Sequence, residues 1–174
     1  MENGVDRATF NRLISEQIPT AMAFATRLTG DPDSAEDVVA EALYRAARGW
    51  RTFRGRSTFK TWLFGIVVNA FRDHVKSKKN HEPLPEDVHD EHSTEPAESL
   101  IAAELTQRIA KLVSALPARQ REVLILVVYE GFATPDVAQA LDISEANVHS
   151  TLHQARRRLK QQLAPYLTGK RHER

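Results

Sequence analysis

Thr134-Pro-Asp-Val-Ala-Gln-Ala-Leu-Asp-Ile-Ser-Glu-Ala-Asn-Val-His-Ser-Thr-Leu-His-Gln-Ala-Arg-Arg-Arg-Leu-Lys160 is the stretch that decides the fold, because it reads as two short helices joined by a tight turn. Val137, Ala138 and Leu141 recur at helical spacing, and Pro135 suits a first helical turn, where a missing N–H costs nothing. Asp142-Ile143-Ser144 breaks the pattern, and Ser144 is a good N-cap for a second helix with Val148, Leu152, Ala155 and Leu159 on one apolar stripe. The opposite face carries Asn147, His149, Ser150, His153, Gln154 and Arg157, side chains able to hydrogen-bond to base edges or phosphates in a major groove. The pattern alone fits either a DNA-reading helix-turn-helix or the solvated face of a helical bundle. The Arg156-Arg157-Arg158 run favours DNA, since neutralising phosphates is the main source of non-specific affinity.

Outward from this motif, the formal net charge of +1 over 174 residues conceals a segregation. Residues 1–80 hold 13 Lys/Arg against 9 Asp/Glu, and residues 101–174 hold 11 against 7. Residues 81–100 carry Glu82, Glu86, Asp87, Asp90, Glu91, Glu95 and Glu98 with no Lys or Arg, together with Pro83, Pro85 and Pro96. This composition predicts an acidic, flexible linker between two basic lobes, in preference to a long solvated loop inside one domain. With no cysteine, disulfides and thiolate metal sites are excluded. No apolar run approaches the roughly 20 residues that cross a bilayer, and Met1 to Asn11 lack the apolar core of a secretory signal. A cytoplasmic chain with no membrane insertion is expected.

Both lobes read as helical, giving an all-α protein of two small domains, with no credible strand. In residues 1–80, Phe10, Leu13, Ile14, Ile18, Ala21, Ala25 and Leu28 keep helical spacing up to Gly30-Asp31-Pro32, with Pro19 a kink or boundary. Ser34 or Asp33 is expected to cap a second helix with Ala35, Val38, Val39, Ala42, Leu43 and Ala46 inward. Ser57 is expected to cap a long third helix whose stripe is Phe59, Trp62, Leu63, Ile66, Val67, Ala70, Phe71 and Val75. In residues 101–174, Ile101, Leu105, Ile109, Leu112, Val113 and Leu116 sustain one helix. Val123, Leu124, Val127 and Val128 form the apolar face of the next, and Gly131 ends it before the helix-turn-helix.

Three segments, in order, give the chain a family resemblance. Asp33-Ser-Ala-Glu-Asp-Val-Val-Ala-Glu-Ala-Leu-Tyr-Arg-Ala46 resembles region 2.2 of the extracytoplasmic-function group of bacterial sigma factors, the smallest of the sigma-70 family. Phe53 to Asp73, with its Trp62-Leu63 pair and Asn69, resembles regions 2.3 and 2.4, and Leu116-Pro-Ala-Arg-Gln-Arg-Glu-Val-Leu through Leu159 resembles region 4. The resemblance implies a polymerase specificity subunit that binds bacterial core RNA polymerase and directs promoter recognition, DNA melting and initiation. It divides the chain into region 2 (1–80), the linker (81–100) and region 4 (101–174).

The resemblance also implies site residues. Asp37, Val38, Glu41, Arg45 and Arg48 are the candidates for docking on the clamp helices of the polymerase largest subunit, while region 4 lies toward the flap. The family's frequent Gln at this surface is Ala40 here, which removes one amide. For the minus 10 element the candidates are Arg54, Arg56, Ser57, Thr58, Lys60, Trp62, Asn69, Arg72, Asp73, Lys76, Lys78 and Lys79. Melting needs a basic surface for the backbone and pockets for unstacked bases, each stacking contact being worth roughly 1–3 kcal/mol. Phe59 and Trp62 can stack bases or pack in the core; the loop from Arg51 to Thr58 is the better place for a flipped base.

For the minus 35 element the candidates are Ser144, Asn147, His149, Ser150, His153, Gln154, Arg156 and Arg157. Many relatives carry basic residues where His149, Thr151 and Gln154 stand, so amide and imidazole readout is expected to weigh more here. An anti-sigma factor is an expected further partner, and no cofactor or metal is expected. The rival reading is a repressor or activator with an N-terminal sensory domain, which explains residues 101–174 equally well but not the basic and charged helices of residues 1–80. An enzyme finds little support, with no phosphate loop, zinc-helix or nucleophile motif.

Overall fold

A computed structural model describes residues 6–79 and 97–168, with the backbone alone for residues 79, 97–102 and 167–168. Every regular element among the described residues is helical: α1 (Arg7–Thr29), α2 (Pro32–Gly49), α3 (Phe59–Lys79), α4 (Ala97–Ser114), α5 (Ala118–Leu124), α6 (Thr134–Leu141) and α7 (Glu145–Thr168). A short 3-10 turn, Trp50–Thr52, follows α2, and a π turn, Ile125–Tyr129, extends α5. The expected linker lies outside the described residues as far as residue 96. α4 already begins at Ala97, inside the range read as linker.

The helices start where short polar side chains satisfy orphan backbone donors. Asp6 caps α1 by accepting from the Thr9 N–H at 2.9 Å. Asp31, not Ser34 or Asp33, caps α2, because Pro32 takes the first helical position and sets the start two or three residues earlier than expected. Ser34 is instead buried, and its N–H donates to the Asp31 carboxylate at 3.0 Å. Thr58, not Ser57, caps α3, its hydroxyl accepting from the Thr61 N–H at 3.1 Å. Pro19 neither ends nor splits α1, since it sits on the exposed face of a helix that runs through it.

The Ser34 hydroxyl, then its N–H, hold the Asp31 carboxyl below its usual value. The stability that Asp31 lends to α2 is therefore complete above the ordinary carboxylate range and is lost as pH falls through the lowered folded value. Asp31→Ala is expected to destabilise the protein by about 1 kcal/mol at neutral pH. Urea melts repeated at acidic pH should show that difference shrink, and a constant difference would mean that the cap does not act through its charge.

α1, α2 and α3 form one bundle around Phe24, Leu28, Val38, Val39, Phe64, Val67, Val68 and Phe71, all nearly or fully buried. An aromatic satellite of Phe10, Phe53 and Phe59, with Trp50 and Trp62 against it, closes the end of this bundle nearest the 53–58 loop. In the second lobe, Val113, Leu116, Val123, Ile125, Leu126, Val137, Leu141, Val148, Leu152 and Ala155 are buried, as the stripes of α5–α7 require. The cores of the two lobes meet and form one continuous apolar cluster, in which Phe64 of α3 stacks with Phe24 at 4.7 Å and packs against Phe132 at 5.3 Å.

Three apolar expectations fail for identifiable reasons. Val128, read as inward, is 54% exposed. The π turn, in which the Glu130 N–H bonds to the Ile125 carbonyl at 3.0 Å, inserts one residue and rotates the apolar phase past it. Leu105 of α4 and Ile18 of α1 are also exposed, because each lies where no other described helix covers it.

Candidate nucleic-acid interface

The helix-turn-helix is built as its sequence requires. Ala133 precedes α6, and Asp142 makes the turn in the left-handed region, with φ 52. Asp tolerates that conformation better than most residues, and the Ile143 N–H closes the turn on the Ala138 carbonyl at 3.0 Å. Ser144 caps α7 by accepting from the Asn147 N–H at 3.2 Å. Val148, Leu152 and Ala155 turn inward and Leu159 is half-buried. Ser144, Asn147, His149, Ser150, His153, Gln154, Arg156 and Arg157 are consequently all exposed.

Gln154 accepts from the Gln120 amide at 3.4 Å. Beside it, a hollow of about 280 Å³ is lined by Gln120, Gln154, Arg157, Arg158 and Gln161. Gln120 and Gln161 are not among the residues expected from the sequence: Gln120 belongs to α5, and Gln161 lies on α7 beside it at this hollow. His149 and His153 belong to no cluster of three or more metal-ligating side chains among the described residues.

At the opposite end, the 53–58 loop turns on Gly55, with φ 66, and leaves Arg54 and Arg56 exposed. It borders a hollow of about 340 Å³ lined by Thr52, Phe53, Arg54, Arg56, Ser57, Trp62 and, from α6 of the other lobe, Gln139. Phe59 is 8% exposed and takes the core role. Trp62 packs on Phe53 and Phe59 at 5.5 and 5.4 Å and also lines the hollow.

Along α3 the expected minus 10 residues divide. Asn69, Asp73, Lys76 and Lys78 are exposed, though Lys78 donates to the Ser34 hydroxyl at 2.9 Å; the side chain of Lys79 lies outside the described residues. Lys60 and Arg72 turn toward the second lobe. Lys60 lies over the Phe132 ring at 4.9 Å and within 3.9 Å of the Glu130 carboxylate. Arg72 donates twice to Glu122, at 2.9 and 2.7 Å, and once to Asn69 at 3.2 Å. Those Glu122 bonds hold the guanidinium above its usual range, against the opposing pull of burial. Arg121, next to Glu122, is pulled down by burial; it donates to the Leu28 and Leu116 carbonyls.

The outer face of α2 presents Asp37, Glu41, Arg45 and Arg48. Val38, expected among them, is 1% exposed and supports the face from beneath, because it falls on the inward stripe. Arg45 bonds Glu41 of the same helix at 2.6 Å and ties this face to α3 through Asp73 at 2.7 Å, and both raise its pKa. Arg48 bonds the Tyr44 hydroxyl at 2.9 Å, and Tyr44 is 56% exposed. Tyr44 was overlooked; an aromatic standing off the apolar stripe was its signal.

Two family models match the chain in the expected order: sigma-70 region 2 over residues 13–81, and sigma-70 region 4 over residues 106–159. The chain is 30% identical to the extracytoplasmic-function RNA polymerase sigma factor SigM of Mycobacterium tuberculosis over 165 residues, covering 94% of this chain and 82% of that protein. It is 27% identical to the extracytoplasmic-function sigma-E factor of Haemophilus influenzae, covering 93% of this chain and 91% of that one. Among solved structures it is similar to the sigma factor RpoE of Bartonella quintana, with a TM-score of 0.70 and 26% identity over 89% of this chain and 96% of that chain. The chain belongs to the extracytoplasmic-function group of the sigma-70 family. It is an RNA polymerase sigma factor, acting in promoter recognition and transcription initiation. The match over residues 13–81 removes the rival reading of an N-terminal sensory domain. No described helix is long and apolar enough to cross a membrane.

Proposed function

We propose a division of labour among three surfaces. The outer face of α2, with Asp37, Glu41, Arg45, Arg48 and the exposed Tyr44, docks on the clamp helices of the polymerase largest subunit, its mixed charge suiting an amphipathic partner helix. The 53–58 loop and α3 hold the melted minus 10 element, an unstacked base entering the hollow beside Trp62. α7 reads the minus 35 element, and its lobe sits toward the flap. The observation that carries this reading is the separation on α7, where every expected reader is exposed and the apolar stripe turns inward. Region 2 is taken as residues 1–80 and region 4 as 101–174, with α4 reaching back to Ala97.

The deciding experiment combines the purified chain with bacterial core polymerase and a cognate promoter. Charge reversal at Asp37 and Glu41 is expected to abolish core binding and transcripts while the chain stays folded by circular dichroism, with only a small fall in melting temperature from the lost Arg45 contact; retained core binding would move the docking face elsewhere. On α7 the substitutions should separate by kind. Replacing His153 or Gln154 by alanine is expected to cost about 1–3 kcal/mol of discrimination at one base pair with the salt dependence unchanged. Arg156→Ala or Arg157→Ala should weaken binding evenly across sequences and lower the salt slope by about 1. Binding titrations over a salt series on matched and mismatched duplexes distinguish the two.

The Bartonella quintana sigma factor was solved in complex with its anti-sigma factor NepR. That likeness supports an anti-sigma partner for this chain as well. Co-purification of the tagged chain from its own cells, with and without core polymerase, would identify it.

A further inference from the structure

Gln154 does not stand alone on the reading face. Its side-chain oxygen is engaged from behind by Gln120 of α5, whose amide nitrogen donates to it at 3.4 Å. Gln120 sits on a firm base: Val123, one turn on, is fully buried, and the next two residues are fixed by bonds, Arg121 to the Leu116 carbonyl and Glu122 to Arg72. The oxygen of the Gln120 amide is buried and has no hydrogen-bond partner among the described residues. That decides which way the amide lies. A buried carbonyl without a partner is tolerated more readily than a buried NH2 without one, so the nitrogen of Gln120 faces Gln154 and the oxygen faces inward. Gln154 meets this donor with its own oxygen. Its NH2, on the other edge of an exposed side chain, is thereby turned away from Gln120.

We propose that Gln120 is a positioning residue for minus 35 recognition: it holds Gln154 as a hydrogen-bond donor, so that the base facing Gln154 is selected for its acceptors, guanine ahead of adenine. The inference rests on the assignment of α7 to the minus 35 element. A free glutamine turns about its last torsion and presents either edge of its amide. With both edges it pairs with adenine, the oxygen accepting from the N6 amino group and the NH2 donating to N7. Held with its oxygen toward α5, Gln154 loses that two-bond pairing and keeps only its donors. Guanine alone offers two acceptors, N7 and O6, at its major-groove edge. The hollow of about 280 Å³ beside Gln154 adds to the bias, since Arg157 and Arg158 in its lining also bring donors only.

The test uses holoenzyme assembled from the full chain and core polymerase, with transcripts counted by sequence from promoters randomised across the minus 35 element. Gln154→Ala marks the base pair that Gln154 faces, as the position where preference is lost. There the wild-type chain is expected to favour guanine over adenine by about tenfold. Gln120→Leu removes the donor at similar size, and the ratio is expected to shrink to about threefold or less as Gln154 regains its second edge. Gln120→Glu is the sharper variant. A carboxylate only accepts, so Gln154 turns its NH2 toward α5 and presents its oxygen, and the preference moves to cytosine, whose N4 amino group donates. In the Gln154→Ala background neither Gln120 variant is expected to alter any preference. A merely structural role for Gln120 would instead lower transcription from every promoter alike. That uniform fall, a guanine preference unchanged in both Gln120 variants, or a wild-type preference for adenine overturns the positioning role. Gln154→Ala that leaves every position as in the wild type removes Gln154 from the minus 35 readers instead, so the two readings fail separately.

Discussion

Phe64→Ala is expected to lower the stability of the protein by about 3–5 kcal/mol, the usual cost of deleting a buried aromatic ring and leaving its cavity. The ring is fully buried, stacks on Phe24 at 4.7 Å, touches Phe132 of the second lobe at 5.3 Å and lies beneath the Lys60 ammonium. No neighbour can refill the gap without losing a contact of its own. A domain of ordinary stability holds about 5–15 kcal/mol, so the loss takes a large part of it. In urea the midpoint should fall by roughly 2 M, given a slope of about 1–3 kcal/mol per M. Val128→Ala is the matched control. Though apolar, Val128 is 54% exposed, and its loss should stay within about 0.5 kcal/mol. Equal effects at the two sites would mean that the apolar cluster joining the lobes does not exist in solution.

The second large effect is expected at Glu122. Its carboxylate is 1% exposed and serves Arg72 at 2.7 Å and Arg119 at 3.6 Å. Glu122→Ala leaves those cations without their acid, and breaking a buried pair from one side costs about 3–5 kcal/mol. The lower end applies, because Arg72 is a third exposed and can turn to water. Replacing both partners by methionine is expected to fall near wild type, since both the attraction and the desolvation cost are then removed. A thermodynamic cycle of the two single variants and the double variant, read from urea melts, gives the coupling. A value near zero would show that the pair is not formed.

The helix-turn-helix, the long third helix and the charged second helix are legible because each rests on local rules: apolar spacing, caps and turn residues. The caps were misplaced by a few residues where two short polar residues compete. At α2, Pro32 in the first turn settles the choice for Asp31; at α3, Thr58 stands one residue nearer the helix than Ser57. Val38 was placed on the docking face by family position alone, although its own apolar spacing put it inward. The closure of the lobes was not legible. Glu122 reads as one more polar residue on an amphipathic helix, and only the meeting of α3 and α5 makes it the most buried acid described. Gly65, where a Cβ would stand 2.9 Å from the Ala140 carbonyl oxygen of α6, is the one local sign of that closure, an interior glycine in a helix.

The π turn at Ile125–Tyr129 imposes a constraint of a different sort on how this chain can vary. With about 100° of rotation per helical residue, excising one residue from that turn would restore an ordinary helix and swing everything downstream around its axis by more than a quarter of a circle. Phe132 would leave Phe64, and α6 and α7 would leave their present places against α3 and α5. Substitutions at the exposed Val128 and Tyr129 are therefore tolerable where a change of length is not. This five-residue segment works as a fixed gear between α5 and the helix-turn-helix that follows it.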